Sequence, residues 1–192
     1  MTSTATTTVA ILAAGQAQRF GGGKLDAICA GRRLGEWAIL AVEAAGFSPG
    51  IVIVPPECPA FPRAHPQWRC VTNHAAKDGI GTSVALAAQT AQHDGAKGLL
   101  LMLADMPLLE PAHLRALPGP TAAATRQRDG KPGTPAFFPA SLLKALAMMD
   151  PAHGAASMLL KQPDLRCYSP ASTSLADVDY PMDLKKVAAE LL

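Results

Sequence analysis

The residues best suited to chemistry in this 192-residue chain lie in a glycine-rich stretch near the N-terminus, VAILAAGQAQRFGGGKLDA. The stretch combines Gly15 and the glycines at 21–23 with two basic residues, Arg19 and Lys24. Glycine lets backbone amides turn toward a ligand at close range, and the basic side chains add positive charge. Such a loop can cradle a triphosphate. The alternative is a flexible surface hairpin whose charges are incidental.

Two familiar phosphate-binding patterns do not fit this stretch. The P-loop needs Ser or Thr after its Gly-Lys pair, but Leu25 follows Lys24. The dinucleotide pattern GxGxxG is also absent from the loop. A phosphate role therefore depends on the glycines and the two cations themselves.

A lone carboxylate follows a fully apolar run in the middle of the chain. Asp105 comes directly after residues 99–104 in the segment LLLMLADMPLL. A buried strand would deliver Asp105 to the edge of a sheet, where carboxylate oxygens suit Mg²⁺ bound to a nucleotide. The alternative is that Asp105 caps a turn before Met106 and Pro107.

A third acidic segment, DVDYPMDL, lies close to the C-terminus. Asp177 and Asp179 share one face if the segment is extended. Asp183 is expected in the first turn of a C-terminal helix, where a negative charge suits the helix dipole. An exposed turn that precedes a helix start explains all three carboxylates equally.

The segment DGIGTS, residues 78–83, precedes a predicted helix. Its backbone amides and hydroxyls could bind an anion or the edge of a base, and helix capping by Thr82 or Ser83 is the alternative. The five histidines lack HxH or HExxH spacing, and the four cysteines contain no CxxC pair. The sequence therefore argues against a histidine or cysteine metal site.

Short buried strands and longer helices must position these residues. Apolar runs bounded by Gly, Pro or charge predict strands at residues 9–13, 51–54 and 98–103. Good helix formers that end near glycine predict helices at residues 34–45 and 83–92, and residues 141–149 are interpreted as another helix. Alternating strands and helices predict a doubly wound α/β sheet, with its ligand at the C-terminal ends of the strands.

Prolines at 118–120 and 132–139 break the pattern in the second half, which predicts a lobe built onto the sheet. The Ser/Thr-rich residues 1–8 are predicted to be disordered. No linker is long enough to mark a second domain, so residues 9–192 are interpreted as one domain.

Composition excludes several classes of partner. Hydrophobic residues make up 49% of the chain and charged residues 17%, which favours a folded globular protein. A net charge of +2 is too balanced for a general nucleic-acid binder. With no apolar run near the length of a membrane helix and no signal-peptide pattern, we expect a cytoplasmic protein without a membrane partner.

Five segments in order resemble the MobA-like nucleotidyltransferases, specifically their molybdenum-cofactor cytidylyltransferase branch: LAAGQAQRFGGGK, DGIGTS, LADMPLL, GTPAFF and DVDYPMDL. The resemblance spans nearly the whole chain. The family's opening pattern is LAAGxSxRMGxxK, and it is matched here by Leu12, Ala13, Ala14, Gly15, Arg19, Gly21 and Lys24. The resemblance implies a Rossmann-like, three-layer nucleotidyltransferase fold with a mostly parallel central sheet.

The resemblance also implies roles for the candidate residues. Arg19 and Lys24, together with Gly15, would hold the phosphates of a nucleoside triphosphate. Asp105 would bind Mg²⁺, and either Asp177 or Asp179 would complete the metal site. Contacts to the base and to the nearby acceptor are implied for Asn73, Asp78, Gly79, Thr82 and Ser83.

Two features favour CTP over GTP. The loop begins with LAAG where guanylyltransferases usually have LAGG, and the acidic motif is LADMP where they favour cysteine before the aspartate. The implied reaction transfers CMP from CTP to the molybdopterin cofactor, releases pyrophosphate, and could serve a molybdenum hydroxylase as recipient.

Four departures from the family pattern keep alternatives open. Ala17 replaces a serine, Thr134 replaces a histidine, Tyr180 replaces a threonine, and residues 25–28 replace an apolar, proline-containing continuation. The alternatives are a related enzyme that uses GTP or another phosphorylated acceptor, and a carrier that binds molybdenum cofactor without catalysis.

Overall fold

The computed structural model describes residues 7–191, within which it forms nine strands and six α-helices. In chain order the strands are β1 (Thr7–Leu12), β2 (Ile28–Cys29), β3 (Arg32–Arg33), β4 (Ile51–Val54), β5 (Arg69–Thr72), β6 (Gly98–Leu103), β7 (Ala123–Arg126), β8 (Pro132–Pro139) and β9 (Arg166–Tyr168). The helices are α1 (Leu34–Ala44), α2 (Ile80–His93), α3 (Pro111–Ala116), α4 (Ala140–Ala147), α5 (Ala156–Leu159) and α6 (Pro181–Glu190).

Seven strands form the central sheet, in the order β5-β4-β1-β6-β8-β7-β9. The first four are parallel, and β8 runs antiparallel to both of its neighbours. The chain moves from β1 to β4 on one side and later adds β6 on the other, so the switch point lies between the ends of β1 and β6. The predicted α/β fold with a mostly parallel sheet is confirmed.

Helices cover both faces of the sheet, which gives three layers. Successive side chains of β1 point to opposite faces. Val9 and Ile11 belong to the core on the side of α1 and α3, while Ala10 and Leu12 belong to the core on the side of α2 and α4. Burial on both faces explains why β4 and β6 are continuous apolar runs.

The predicted elements of the first half exist, with shifted ends. β4 and β6 have the predicted bounds, and α1 ends before Gly46, whose φ of +78° favours glycine. α2 begins at Ile80, three residues before the predicted start. β1 begins at Thr7, so the last two residues of the predicted disordered segment pair with β6; residues 1–6 lie outside the described part of the chain.

The second half differs from the predicted lobe, because β7, β8 and β9 extend the same sheet. The stretch interpreted as broken by prolines is strand β8. Pro132 and Pro139 lie at its ends, and Pro135 lies where the register with β7 shifts. Proline is tolerated at strand ends and bulges because no ladder hydrogen bond from its nitrogen is needed there.

None of the helices within residues 7–191 combines the length and the apolar character needed to cross a bilayer.

Candidate active site

The glycine-rich loop leaves β1 at the switch point of the sheet. The N–H of Ala13 donates to the carbonyl of Ile53 at 2.8 Å, and the carbonyl of Leu12 accepts from the N–H of Ala104 at 3.0 Å. The chain then becomes exposed from Gly15 onward. The loop therefore starts from a rigid frame and projects beyond the C-terminal edge of the sheet.

Two short 3-10 turns within the loop carry its cations. Arg19 lies in the turn Gln18–Phe20, and Lys24 begins the turn Lys24–Asp26. Gly21 ends the first turn with a φ of +89°, and Gly23 precedes the second with a φ of +62°. Residues with a Cβ rarely adopt these conformations, so the glycines allow the reversal that separates the two cations.

Lys24 is the most enclosed cation of the loop, with 11% of its side chain exposed. Its Nζ lies 2.6 Å from Oδ2 of Asp105 and 3.7 Å from Oδ1 of Asp179. One ammonium group therefore lies between two carboxylates that come from distant parts of the chain.

Asp105 follows β6 directly, as the apolar run predicted. Its backbone carbonyl accepts a hydrogen bond from the N–H of Val178 at 3.1 Å, which ties β6 to the segment before α6. Its Oδ2 contacts Lys24, while its Oδ1 is buried and has no hydrogen-bond partner among the described residues. A buried oxygen without a partner is costly, so this atom is a strong candidate to bind a ligand.

Asp179 provides the second carboxylate, and its Oδ2 accepts a hydrogen bond from Arg19 Nη1 at 2.8 Å. Its neighbour Asp177 is exposed. The position of Asp179 depends on the start of α6, where the Asp183 carboxylate accepts the N–H groups of Tyr180 at 2.9 Å and Asp179 at 3.3 Å. The hydrogen bond from Tyr180 chiefly holds the pKa of Asp183 below its usual value.

Arg19, Lys24, Asp105 and Asp179 are called the charged cluster below. A cavity of about 290 Å³ opens beside it and is lined by Gln16, Ala17, Gln18, Arg19, Lys24 and Asp179. Charges from the loop and from the segment before α6 thus line one opening, and Lys24 links it to Asp105 at the end of β6. Such a site can bind an anionic ligand together with a cation.

The carboxylates of the charged cluster fit a hard divalent cation. Across residues 7–191 no group of three or more His, Cys, Asp or Glu side chains is placed to hold a metal. Mg²⁺ commonly uses only one or two protein carboxylates and completes its shell with phosphates and water. Asp105 and Asp179 match that donor set, and Asp105 Oδ1 offers an oxygen that no protein group uses.

Asn73 and the start of α2 form a separate polar group. The Asn73 Nδ2 donates at 2.9 Å to both Thr82 Oγ1 and Ser83 Oγ, and Thr82 Oγ1 donates to the carbonyl of Gly79 at 2.7 Å. We call these four residues the Asn73 network. A Cβ on Gly79 would lie 2.2 Å from the carbonyl oxygen of Pro151, so the backbone is closely packed there.

The structure brings together only part of the predicted site. The four residues of the charged cluster meet, whereas Asp177 and Asp78 are exposed and the Asn73 network uses its polar groups internally. Leu12, Ala13 and Ala14 are buried and leave only backbone groups for a ligand. Gly15 and Gly21 are exposed in the loop.

Sequence reasoning missed the contacts of Asp26, which was noted only as a departure from the family pattern. Its carboxylate accepts the N–H groups of Ala60 and Phe61, each at 2.8 Å. Gln16 and Gln18 were also missed, and both line the cavity beside the charged cluster. The only sequence signal for them is their place in the loop, within three residues of Arg19.

A larger cavity of about 560 Å³ lies at the opposite edge of the sheet, against the N-terminal ends of β1 and β4. Its Arg69 is ion-paired with Asp94, and this hydrogen bond chiefly lowers the pKa of Asp94. The predicted catalytic residues are absent from its lining. The smaller opening at the switch point is therefore the candidate active site.

The protein has an α/β fold, and the charged cluster lies at the switch point of its sheet. Its cations and carboxylates match the charges of a nucleotide with a bound metal. The sequence matches the MobA-like NTP transferase domain over residues 9–166, and the chain belongs to that family of nucleotidyltransferases. No curated protein sequence matches closely enough to serve as a relative.

Several solved structures share the fold. Rv0371c from Mycobacterium tuberculosis H37Rv is 22% identical, with a TM-score of 0.80 over 97% of this chain and 100% of that one. Rv0371c has also been solved in complex with manganese. The nucleotidyl transferase Mth528 from Methanothermobacter thermautotrophicus is 20% identical, with a TM-score of 0.81 over 96% of this chain and 97% of that one.

A third similar structure is molybdopterin-guanine dinucleotide biosynthesis protein A from Archaeoglobus fulgidus. It is 17% identical, with a TM-score of 0.64 over 96% of this chain and 98% of that one. At these identities the three similarities establish the fold alone.

Proposed function

We propose that this chain is a Mg²⁺-dependent nucleotidyltransferase that transfers CMP from CTP to the molybdopterin cofactor and releases pyrophosphate. The observation that carries the proposal is the charged cluster, in which two cations and two carboxylates from three separate segments meet at the switch point. Triphosphate and Mg²⁺ are the complementary ligands. Family membership supplies the class of reaction.

The choice of substrates rests on sequence. The LAAG segment at residues 12–15 and the LADMP segment at residues 103–107 favour CTP. The ordered set of family motifs supports the molybdopterin acceptor, and the similar protein from Archaeoglobus fulgidus is named for molybdopterin-guanine dinucleotide biosynthesis. That name also makes GTP the first alternative to test.

In the proposed reaction, an oxygen of the acceptor's terminal phosphate attacks the α-phosphorus of CTP. The bond between that phosphorus and the oxygen bridging to the β-phosphate breaks, and pyrophosphate leaves with the electron pair. No side chain has to act as general base, because the attacking phosphate is already anionic. Arg19 and Lys24 hold the departing pyrophosphate, so catalysis is mainly positioning and electrostatic stabilisation.

Asp105 and Asp179 would hold the metal, and Mg²⁺ when bound neutralises negative charge on the phosphate oxygens. Lys24 Nζ contacts both carboxylates. A triphosphate would offer this ammonium group a more highly charged partner. Lys24 would then turn from the carboxylates to a phosphate oxygen, because its long side chain is a mobile point charge.

The proposal covers the whole domain. Residues 9–192 would form one nucleotidyltransferase domain, supported by the family match over residues 9–166 and by the contribution of Val187 in α6 to a core with Cys29 and Leu34. Asn73, Asp78, Gly79, Thr82 and Ser83 would border the base and the acceptor. The product would be made in the cytoplasm and passed to a molybdenum hydroxylase.

A different phosphorylated acceptor is the second candidate. Thr134 and Tyr180 favour it, because the family pattern has histidine and threonine at these positions. Tyr180 is 47% exposed next to Asp179, so its ring is available at the edge of the site. A non-catalytic carrier is the third possibility, and it predicts cofactor binding without turnover.

The deciding experiment measures pyrophosphate release with Mg²⁺ and each of CTP, GTP, ATP and UTP, with and without molybdopterin cofactor. We expect release only with CTP and only when the cofactor is present. Release with GTP would change the nucleotide, and release that needs another phosphorylated compound would change the acceptor. Cofactor and nucleotide binding without release from any of the four would contradict the enzyme proposal and favour the carrier.

A further inference from the structure

Asp26 connects the turn that bears Lys24 to a distant and firmly packed part of the protein. Its two carboxylate oxygens accept separate N–H groups, Oδ2 from Ala60 and Oδ1 from Phe61, both at 2.8 Å. Ala60 and Phe61 open a 3-10 turn in the connection between β4 and β5. Phe61 is fully buried, and its ring packs so closely against Gly35 of α1 that a Cβ there would lie 2.7 Å from it.

Within residues 7–191, the glycines on the other side of Lys24 make only local hydrogen bonds, in which the N–H groups of Gly21 and Gly22 donate to carbonyls of the same loop. The glycines at positions 21, 22 and 23 all have positive φ angles, and a Cβ on any of them would meet no atom within 4 Å. The segment before Lys24 is therefore open and conformationally permissive. Asp26, two residues after Lys24, is where the turn becomes attached to the body of the protein.

Arg33 reinforces the attachment. Its Nη1 donates to the backbone carbonyl of Asp26 at 3.3 Å and lies 3.9 Å from the Asp26 carboxylate. Lys24 and Asp26 belong to a single 3-10 turn, and the N–H of Ala27 donates to the carbonyl of Lys24 at 3.2 Å. A displacement of Asp26 would therefore move the backbone of Lys24.

We propose that Asp26 is a positioning residue that holds Lys24 in place for its phosphate and metal-site role. The inference rests on the function proposed above for Lys24 and deepens it. A carboxylate suits this task because both of its oxygens accept hydrogen bonds, whereas an Asn side chain has one acceptor oxygen and an amide that donates. Asp26→Asn would leave the N–H of Ala60 or Phe61 facing another donor.

The first test measures how accessible the Lys24 amine is, and it needs no nucleotide. Limited acetylation with acetic anhydride, followed by mass spectrometry, measures how fast the Lys24 amine reacts relative to exposed Lys144. In the folded protein Lys24 is enclosed and paired with Asp105, so it should react slowly. Asp26→Asn should raise its relative rate about fivefold, since an interaction of this kind contributes on the order of one kcal/mol. An unchanged rate in a folded variant would overturn the proposal.

The second test measures the binding of Mg²⁺ with inorganic tripolyphosphate, and of Mg²⁺ with CTP, by titration calorimetry. Asp26→Asn should weaken both by about fivefold to tenfold. Leu143→Ala is the matched control, because it removes a buried side chain from α4 and should destabilise the fold without touching the loop. A loss of affinity of the same size in Leu143→Ala would contradict the proposal.

The two tests separate the two proposals. Faster acetylation of Lys24 in Asp26→Asn, together with a wild-type protein that binds neither ligand, would support the positioning role and contradict the proposed function. If wild type binds both ligands, and Asp26→Asn changes neither the binding nor the acetylation of Lys24, the phosphate site is supported and the positioning role is contradicted. Asp26 would then only cap the 3-10 turn at Phe61.

Discussion

The charged cluster and the Asn73 network both lie beyond the C-terminal ends of parallel strands, the first after β1 and β6 and the second after β5, but their polar groups are paired very differently. In the Asn73 network the amide of Asn73 is taken up by Thr82 and Ser83, and the hydroxyl of Thr82 donates to the backbone. In the charged cluster Asp105 keeps a buried oxygen without a partner among the described residues, and Arg19 is two thirds exposed.

From this difference we predict that the charged cluster acts on a ligand and that the Asn73 network shapes the protein around it. Polar groups that satisfy each other rigidify a segment, while charged groups with unused capacity can bind something else. We therefore expect substitutions in the charged cluster to impair chemistry and binding while the fold persists. Substitutions in the Asn73 network should first lower stability.

The largest expected effect is that of Asp105→Asn. Loss of the carboxylate removes a metal ligand, so pyrophosphate release should fall by about a hundredfold or more. Thermal unfolding checks that the variant is folded. Turnover at the wild-type rate would exclude Asp105 from the mechanism. It would also contradict the predicted difference in role between the charged cluster and the Asn73 network.

The neighbouring acidic pair extends this test. Asp179→Asn should also reduce turnover, because Asp179 contacts both cations of the charged cluster. Asp177→Asn should have a far smaller effect, since that side chain is exposed. The reverse order of effects would assign the second metal ligand to Asp177.

Lys24→Met should weaken triphosphate binding by about tenfold or more, the usual scale for a hydrogen bond to a charged group. The same variant should bind Mn²⁺ more tightly than wild type when no nucleotide is present, because Lys24 no longer neutralises Asp105 and Asp179. Titration calorimetry measures both affinities. A loss of Mn²⁺ affinity would mean that Lys24 supports the carboxylates rather than competes with the metal.

Asn73→Ala tests the other side of the comparison. Removal of the amide leaves the hydroxyls of Thr82 and Ser83 without their shared donor, which should lower the free energy of unfolding by about 1–3 kcal/mol. Urea unfolding measures the loss, and nucleotide affinity should change little well below the midpoint. A folded, stable variant that has lost CTP binding would show instead that Asn73 contacts the nucleotide.

Sequence patterns predicted the parallel half of the sheet better than the rest, for physical reasons. β4 and β6 are buried on both faces, so their apolar runs stand out with the correct bounds. β5 is an edge strand, RCVT, whose residues are exposed or only partly buried, so it carries no such run. The prolines of β8 led to a wrong prediction of broken structure. Proline is compatible with a strand at its ends or at a bulge, and these positions cannot be recognised without the partner strand.

The candidate site could likewise be predicted only in part. Gly, Arg, Lys and Asp residues in the local sequence predict phosphate and metal binding, and Lys24 and Asp105 do meet. The choice between Asp177 and Asp179 depends on how α6 begins relative to β6, a contact between distant segments. The attachment of Asp26 to Ala60 and Phe61 spans more than thirty residues and has no local signal.

The smallest expected effect concerns Asp183, which holds the backbone at Asp179 from the first turn of α6. Hydrogen bonds from Tyr180 and Asp179 lower its pKa in the folded protein, so its contribution to stability is complete above the unfolded pKa of about 4 and is lost as the pH falls through the lowered folded value. Asp183→Asn should lower the melting temperature by about 2 °C at pH 7, and this difference should shrink below pH 4.

Thermal unfolding of wild type and Asp183→Asn between pH 7 and pH 3 measures this dependence, with Asp164→Asn as an exposed control. A difference that grows toward low pH would contradict the assigned sign. A slight loss of Mn²⁺ affinity in Asp183→Asn would show that the helix cap helps to position Asp179 in the charged cluster. Unchanged Mn²⁺ affinity would mean that the ion pairs with Arg19 and Lys24 suffice to hold it.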